Sequence, residues 1–511
     1  MFFGRIFRYN TIKFRISRRV FEAICHICKV KGDMKRLLIL ISAFVACLFQ
    51  LFNVKAEKSA DLFETSHSRK NETIRRDKPD IRFGVVSDIH LLRQNHDKLL
   101  KKAFTYFRDR DVDAVMIPGD IADTGRISEL KRCADIFKDI FPGGRGRDGR
   151  RVEKVFIYGN HDIWGSYHLI KRDPELAKED AIAFEEGRPK RVWEEVFEEP
   201  YSDFYLKEIK GFVFIGAHWT KEDNFDGLEN FLKSNTEKIN SAKPFFYTQH
   251  SHPSNTCIGS WAWGRDNGSS TRVLSKYPNA VAISGHSHYP LTNERSVWQG
   301  EFTSINASSL AKSSNGYSLR ENFSQNSHGF CGDSRKHIMP HMKMPDSAQG
   351  LLVSVYGSEL VVERRDFFAD KPLGADWCFS VPPRGDFSFK ARADNGRPPE
   401  FAAGAKISIV ERNGALLELK FPAAQTVGRR RVFEYEITAT LLEDGVDLIQ
   451  LQRRVMAPDF YKPETIEGVS ASCVISLAEL PIKGNTVFAV RPIDCFGLKG
   501  KAITASFSTA R

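Results

Sequence analysis

Cysteine is scarce in this chain. Nine occur in 511 residues, and six lie beyond Ala56: Cys133, Cys257, Cys331, Cys378, Cys473 and Cys495. The one paired spacing, Cys25-His26-Ile27-Cys28, has no second half, so a thiolate-built structural zinc site is excluded. Charge of one sign is also lacking once the chain is divided. Residues 1–56 carry eleven Lys or Arg against Glu22 and Asp33, so nine of the net +11 belong there and two to residues 57–511. The body therefore has no basic excess to attract a nucleic acid backbone. Long apolar runs are missing too. Leu37 to Phe52, interrupted by Ser42 and Gln50, is short for a bilayer span, and no span is expected in the chain that follows it.

That short run has a different reading. Met34-Lys35-Arg36 precedes it and Val54-Lys55-Ala56 ends it. A charged start, an apolar middle and a small-residue exit describe a secretory signal peptide over 34–56. Met34 is the expected start, with 1–33 an upstream extension. The expected location is periplasmic or secreted, and a lipoprotein site at Cys47 is the weaker alternative. An even number of cysteines past the leader is compatible with export, and Cys473 with Cys495 is the first disulfide to test.

What is present is a repeated strand–helix alternation. Residues 57–79 read as a polar linker. From Ile81 apolar strands alternate with helical stretches such as Asp97 to Arg108, where Leu99, Leu100, Ala103, Phe104 and Phe107 recur at helical spacing. The strands 81–86, 114–117, 155–158, 212–217, 245–248 and 280–284 argue for βαβ units in an α/β domain over 80–370. Residues 310–348, with a His/Met run from His337 to Met344, read as an inserted surface loop. Residues 371–403, with Pro382-Pro383 and Pro398-Pro399, read as a linker. Short alternating strands from Lys406 to Arg491 then predict a small all-β sandwich over 404–511.

Polar clusters end the α/β strands: Asp88 and His90, Asp120, Asn160 and His161, His250, and His286 and His288. Ligands of α/β folds sit beyond the carboxyl ends of strands. These side chains offer carboxylate, imidazole and amide donors, which suit manganese, iron or zinc. Seven candidate ligands, Asp88, His90, Asp120, Asn160, His250, His286 and His288, are too many for one catalytic ion and suit two sharing a carboxylate. Paired ions clamp the attacking and leaving oxygens of an in-line displacement at phosphorus.

Taken together, Asp88-Ile89-His90, Gly119-Asp120-Ile121-Ala122-Asp123, Gly159-Asn160-His161-Asp162, His250 and Gly285-His286-Ser287-His288 resemble the calcineurin-like metallophosphoesterase family. The resemblance covers about residues 80–368. It implies a four-layer αββα sandwich with a site for two divalent or trivalent ions (Mn, Fe or Zn). One ion would be held by Asp88, His90, Asp120 and His288, the other by Asp120, Asn160, His250 and His286, and a hydroxide between them would attack phosphorus. His161 would stabilise the phosphoryl group and protonate the leaving oxygen, Asp162 would orient His161, and Asp123 would support a ligand. The family writes the lone-histidine motif as His-x-Pro, whereas here it reads Gln249-His250-Ser251-His252-Pro253. His250 is preferred because it directly follows a strand, and His252 is the alternative. At the C-terminus, Asn485 to Gly497 resembles the late strands of a fibronectin type III domain.

Trp261, Trp263 and Arg265, in the loop after His250, are the candidate substrate contacts, with Tyr289 and Arg126 as further ones. The tryptophans would stack on a base or sugar, or else pack the loop down. The expected protein is an exported phosphoesterase acting on a small phosphomonoester or phosphodiester, cyclic nucleotides included. The competing reading is a surface binding or adhesion protein on an inactive phosphatase-like fold. The C-terminal module shows no cluster of His, Asp or Cys and is expected to make a surface or glycan contact.

Overall fold

A computed structural model describes residues 78–92, 94–220, 225, 227–239, 243–259, 262–311, 347–425, 431–443, 446–458, 460, 469–478 and 485–508. The leader, Cys47, Trp261, Cys331 and the His/Met run lie outside the described residues.

Two sheets form the α/β domain. The strands of the first are β1 (Ile81–Val85), β2 (Ala114–Ile117), β3 (Glu153–Phe156), β10 (Gln349–Tyr356), β11 (Glu359–Asp366), β12 (Lys371–Pro372) and β13 (Trp377–Ser380). Their order is β12-β11-β10-β1-β2-β3, with β13 also on β11. The second sheet runs β4 (Phe204–Ile209), β5 (Phe212–Ala217), β6 (Phe245–Thr248), β7 (Ala280–Ser284), β9 (Thr303–Asn306), β8 (Val297–Gln299). The inner strands β1-β2-β3 and β5-β6-β7-β9 are parallel, and antiparallel strands close the edges.

Alternation along β1 decides which layer each side chain joins. Ile81, Phe83 and Val85 face the second sheet, where Phe83 meets the rings of Phe214 and Phe246 edge-on at 5.2 and 4.8 Å. Truncating Phe83 to Ala would cost about 3–5 kcal/mol, the usual toll for a buried aromatic. The other face of the first sheet is covered by α1 (Gln94–Arg108), α2 (Ile127–Ile140) and α3 (Asn160–Arg172), with α4 (Pro174–Asp180) packed on α3 through Leu169 and Ala177, and by α5 (Arg188–Phe197). Leu99, Leu100, Ala103, Phe104 and Phe107 are all buried there, as their spacing predicts. The second sheet is backed by α6 (Leu228–Ser234), α7 (Thr236–Ile239) and α8 (Ser269–Leu274) through Val213, Ile215, Leu228, Leu232, Tyr247 and Leu274. The result is the expected helix–sheet–sheet–helix layering.

The expected linker over 371–403 is corrected. Wide strand pairing carries the first sheet through Ser380, because Trp377 to Phe379 extend β11 with buried side chains. A short helix, α9 (Phe389–Asp394), follows. Its Arg392 is buried, donates to the carbonyls of Glu294 and Val297, and lies over the rings of Phe387, Phe389 and Phe496 at 4.3, 5.4 and 5.2 Å. Phe496 belongs to the C-terminal domain, so one guanidinium joins both parts.

That domain is all β. β14 (Ser408–Arg412), β15 (Leu416–Pro422) and β18 (Ser470–Ser476) form one sheet. β17 (Val446–Met456), β16 (Val432–Glu443), β19 (Asn485–Asp494) and β20 (Ile503–Ser508) form the other. Leu417, Leu419, Phe421, Tyr435, Ile437, Phe488 and Val490 fill the core. Cys473 and Cys495 are buried in that core and are not joined in a disulfide, which corrects the pairing to be tested first. No helix among the described residues is long and apolar enough to cross a membrane.

Candidate metal centre

Five strand ends converge on one rim between the sheets. After β1 the chain delivers Asp88 and His90, after β2 Asp120, after β3 Asn160, after β6 His250, and after β7 His286 and His288. The strand-like ladder continues past the strands: Asp88 N–H donates to the Gly119 carbonyl at 3.2 Å and Ile89 N–H to that of Asp120 at 2.8 Å. Asp88, His90, Asp120, His286 and His288 all have φ between 48° and 64°, the left-handed region. For a side chain with a Cβ this costs on the order of 1–2 kcal/mol per residue, and such strain gathers at functional sites. The glycine of the third motif has a steric reason. A Cβ on Gly159 would lie 2.2 Å from Asp120 Oδ1, so only glycine lets these two strand ends approach.

The seven candidate ligands fall into two groups, beside a third made by His90, Asp123 and His161. In the first, His288 Nε2 lies 2.8 Å from Asp88 Oδ1 and 3.3 Å from His90 Nε2. In the second, His250 Nε2 lies 3.1 Å from Asp120 Oδ2 and 3.0 Å from Asn160 Oδ1, with His286 completing the set. Within each group the ligating atoms of Asp, His and His lie within 4.8 Å of one another. Asp120 Oδ2 stands between the groups, 3.1 Å from His250 Nε2 and 3.8 Å from His90 Nε2.

The donor chemistry fits cations. His250 Nδ1 is 2.7 Å from the Pro118 carbonyl, so Nδ1 carries the proton that it donates there. Its Nε2 then faces a carboxylate and an amide oxygen, all lone pairs, in a fully buried place. Positive charge on or beside Nε2 relieves that contact. Without an ion the charge has to be a proton: burial opposes it, yet Asp120 overrides burial and lifts His250 to about 9. Burial works against the Asp120 carboxylate too, but the surrounding imidazoles, His250 first, hold it well below its ordinary value. His90 and His286 are pushed down chiefly by burial, which leaves neutral, ligand-competent rings.

Several expected roles move. His252 is buried but belongs to neither group; both its ring nitrogens lack a hydrogen-bond partner, and its backbone pairs with Gly264 and Asp266. Asp162 does not orient His161. It is the third residue of α3, and its carboxylate reaches back to the N–H groups of Gly159 and Ala122, each at 2.7 Å. Its side chain therefore locks the motif loops together. His161 Nδ1 is held instead by the Asp123 carbonyl at 2.8 Å. The Asp123 carboxylate lies 3.1 Å from His90 Nδ1, which suits it to steady that ring.

Of the loop residues, Trp263 is 38 % exposed and stacks on His286 at 4.7 Å and 28°. Arg265 donates to the Ala262 carbonyl within its own loop. Tyr289 is buried, and its hydroxyl accepts from the Trp263 N–H. Arg126 caps α2 and joins neither group. Two residues were missed in the sequence. Trp219 is buried, 5.7 Å from the His250 ring and 5.8 Å from that of His286. Trp164 meets Trp219 edge-on at 5.6 Å and is 43 % exposed. Their signals were the position directly after β5 and the position one helical turn beyond His161.

Clusters of oxygen and imidazole donors thus stand at the strand ends of an αββα sandwich, grouped as metal ligands could be. Residues 81–290, which hold all five motifs, match the family model of calcineurin-like phosphoesterases. No curated relative matches the chain at a significant level. Among solved structures the chain is similar to a dimetal phosphatase from Danio rerio, at 12 % identity and a TM-score of 0.36, covering 60 % of this chain and 100 % of that one. It is also similar to a purple acid phosphatase from yellow lupin seeds, at 15 % identity and a TM-score of 0.34, covering 64 % and 58 %. A third is GAP50, the anchor in the inner membrane complex of Plasmodium, at 12 % identity and a TM-score of 0.33, covering 59 % and 88 %.

Proposed function

We propose that the protein hydrolyses phosphoric monoesters or diesters of small molecules, cyclic nucleotides included, with two divalent or trivalent ions of the Mn, Fe or Zn kind. The observation that carries this reading is Asp120 Oδ2, which stands 3.1 Å from His250 Nε2 and 3.8 Å from His90 Nε2, between the two donor groups. Asp88, His90 and His288 would hold one ion and Asn160, His250 and His286 the other, with Asp120 shared. Such ions supply Lewis acidity, neutralising phosphoryl oxygens and acidifying a water.

The chain's own residues do the rest. His161 has its Nδ1 held by the Asp123 carbonyl, which fixes the ring beside the donor groups. Burial disfavours its charged form, but Asp120 and the Asp123 carbonyl outweigh that and raise it above its ordinary value. In its protonated form such a histidine can stabilise the phosphoryl oxygens and give its proton to the leaving oxygen. Trp219 and Trp263 cover His250 and His286 and limit water around the second group. Export rests on the leader sequence, and the C-terminal sandwich is proposed to make a surface or glycan contact rather than to take part in catalysis.

The test uses the full chain purified without chelator. Bound metal and the hydrolysis of 4-nitrophenyl phosphate and bis(4-nitrophenyl) phosphate are measured beside His161→Ala. About two ions per chain are expected. The variant should keep its metal while turnover falls by about 10²–10⁴. A chain that binds no metal and turns over neither ester, with manganese, iron or zinc supplied, is a binding protein on this fold.

A further inference from the structure

A cleft of about 380 Å³ opens directly beside the metal centre. It is lined by Asp123, Thr124, Asn160, His161 and one stripe of α3: Trp164, Gly165, His168, Leu169 and Arg172. Positions 161, 164, 168 and 172 recur every three or four residues, so they share a face of the helix. The stripe begins at the site and runs away from it: Trp164 is about 5 Å along the axis from His161, and Arg172 about 16 Å, at 1.5 Å per residue. Helical side chains lean toward the N-terminus, which brings the long Arg172 side chain back over the cleft.

Three features distinguish this cleft from an ordinary solvated helix face. It contains His161, the residue assigned to the leaving oxygen, so whatever leaves must pass along it. Its floor is tight, since α3 packs so closely on the 123–125 loop that a Cβ at Gly165 would lie 2.6 Å from Gly125 N. Its wall is a large indole left 43 % exposed, backed edge-on by the buried Trp219 and so unable to turn inward. Beyond that ring the lining changes to His168 and Arg172, both exposed, and among the described residues no carboxylate pairs with Arg172.

We propose that this cleft seats the alcohol part of the ester, and that the alcohol carries both a flat ring and a second anionic group. The ring stacks on Trp164, and the anion is met by Arg172 with His168 donating. Nucleotides bearing a second phosphate and aryl phosphates bearing a carboxylate share this chemistry. The proposal rests on the phosphoesterase reading above and narrows its substrate class.

The experiment compares kcat/KM of the metal-loaded full chain on four esters: glycerol 2-phosphate, 4-nitrophenyl phosphate, 4-carboxyphenyl phosphate and adenosine 3′,5′-bisphosphate. The ratio of wild type to variant on each ester cancels leaving-group reactivity. Trp164→Ala is expected to reduce kcat/KM on the three ring esters about tenfold more than on glycerol 2-phosphate, a typical loss for one stacking platform. Trp164→Phe, which keeps a ring, should restore most of it. Arg172→Gln is expected to cost the charged ring esters about tenfold more than 4-nitrophenyl phosphate, in line with losing a charge-assisted contact. A larger Arg172 effect on the bisphosphate assigns the nucleotide source, and a larger one on the carboxylate the aryl source. If all four ratios are equal for both variants, the cleft does not seat the alcohol and this proposal falls while the phosphoesterase reading stands. If wild type turns over none of the esters, the phosphoesterase reading falls and takes this one with it.

Discussion

Asp162→Asn separates two accounts of the same carboxylate. Adjacent in sequence to His161, it invites the role of a partner that orients the imidazole. In the structure its Oδ2 accepts from Gly159 N–H at 2.7 Å and from Ile121 N–H at 3.4 Å, and its Oδ1 from Ala122 N–H at 2.7 Å. An asparagine is the same size but presents one oxygen and one NH2. Whichever way the amide turns, one of the two short bonds becomes N–H against N–H in a place with no exposure. Two donors then go unpaired at about 1–3 kcal/mol each, so the variant should lose on the order of 3 kcal/mol. At about 2 °C per kcal/mol for a domain of this size, the melting temperature should fall by about 6 °C.

The metal-loaded protein is the right one to melt, because burial and the Asp120 charge both push the Asp162 carboxyl up from its ordinary value. Removing the negative charge of Asp162 relieves its repulsion with Asp120, which is stronger when no ions share that charge, so the deficit should shrink when the ions are chelated. Differential scanning fluorimetry with and without chelator reads both numbers. His161, held by the Asp123 carbonyl, should keep its titration. A variant that melts with wild type, holds its ions and yet loses turnover with a displaced alkaline limb would refute the argument and restore Asp162 as the partner of His161.

Other perturbations test neighbouring claims. His250→Ala should lose about one metal equivalent per chain by elemental analysis, as removal of a ligand of a two-ion site requires, whereas His252→Ala should retain both ions. Glu129 is lifted to about 7 by burial, against the hydrogen bonds from Thr124 and Arg126. A raised carboxyl contributes stability below its ordinary value of 4.5 and loses it as pH climbs through about 7. Glu129→Gln should therefore gain on wild type by up to about 3 kcal/mol between pH 5 and 8 in denaturant melts. Arg392→Met strips the donors from two carbonyls at the junction and should cost about 3 kcal/mol. Separate melting of the two domains and faster proteolysis after Asn395 would show it.

Much of the fold could be read from the chain because its inner strands are buried on both faces. Continuous apolar runs such as Val213 to Ile215 or Ala280 to Ile283 have no other use in a chain of this composition. Edge elements were harder. β4 is half-exposed and mixed in character, and β12 and β13 are two and four residues long, so their strand identity comes from pairing with neighbours rather than from their own pattern. The same holds in the C-terminal domain, where β17 and β20 escaped notice while β15, with buried Leu417, Leu419 and Phe421, did not.

The donors of the site could be read for a related reason: each follows a buried strand directly. Their geometry could not. Asp162 illustrates the limit, and also the missed clue. A helix that begins at Asn160 makes Gly159 its cap and Asp162 its third residue, where an acidic side chain returns to the cap N–H. Taken only as a polar cluster ending a strand, the tetrapeptide does not reveal that arrangement. The strain at Asp88, His90, Asp120, His286 and His288 is equally invisible in residue names, because Asp and His occupy ordinary backbone conformations elsewhere in the chain. Five left-handed residues at roughly 1–2 kcal/mol each amount to about as much as the whole net stability of a typical domain. That strain accompanies the gathering of these side chains on one rim. It is tolerated because the cores on either side of the first sheet fix the strands, and the hydrogen bonds accepted by the Asp162 carboxylate and the Gly119 carbonyl fix the turns. Two ions bridging the strand ends would add to that restraint. The strand ends are thus held in their costly form by the fold before any ion arrives, which is the condition for a preorganised binding site.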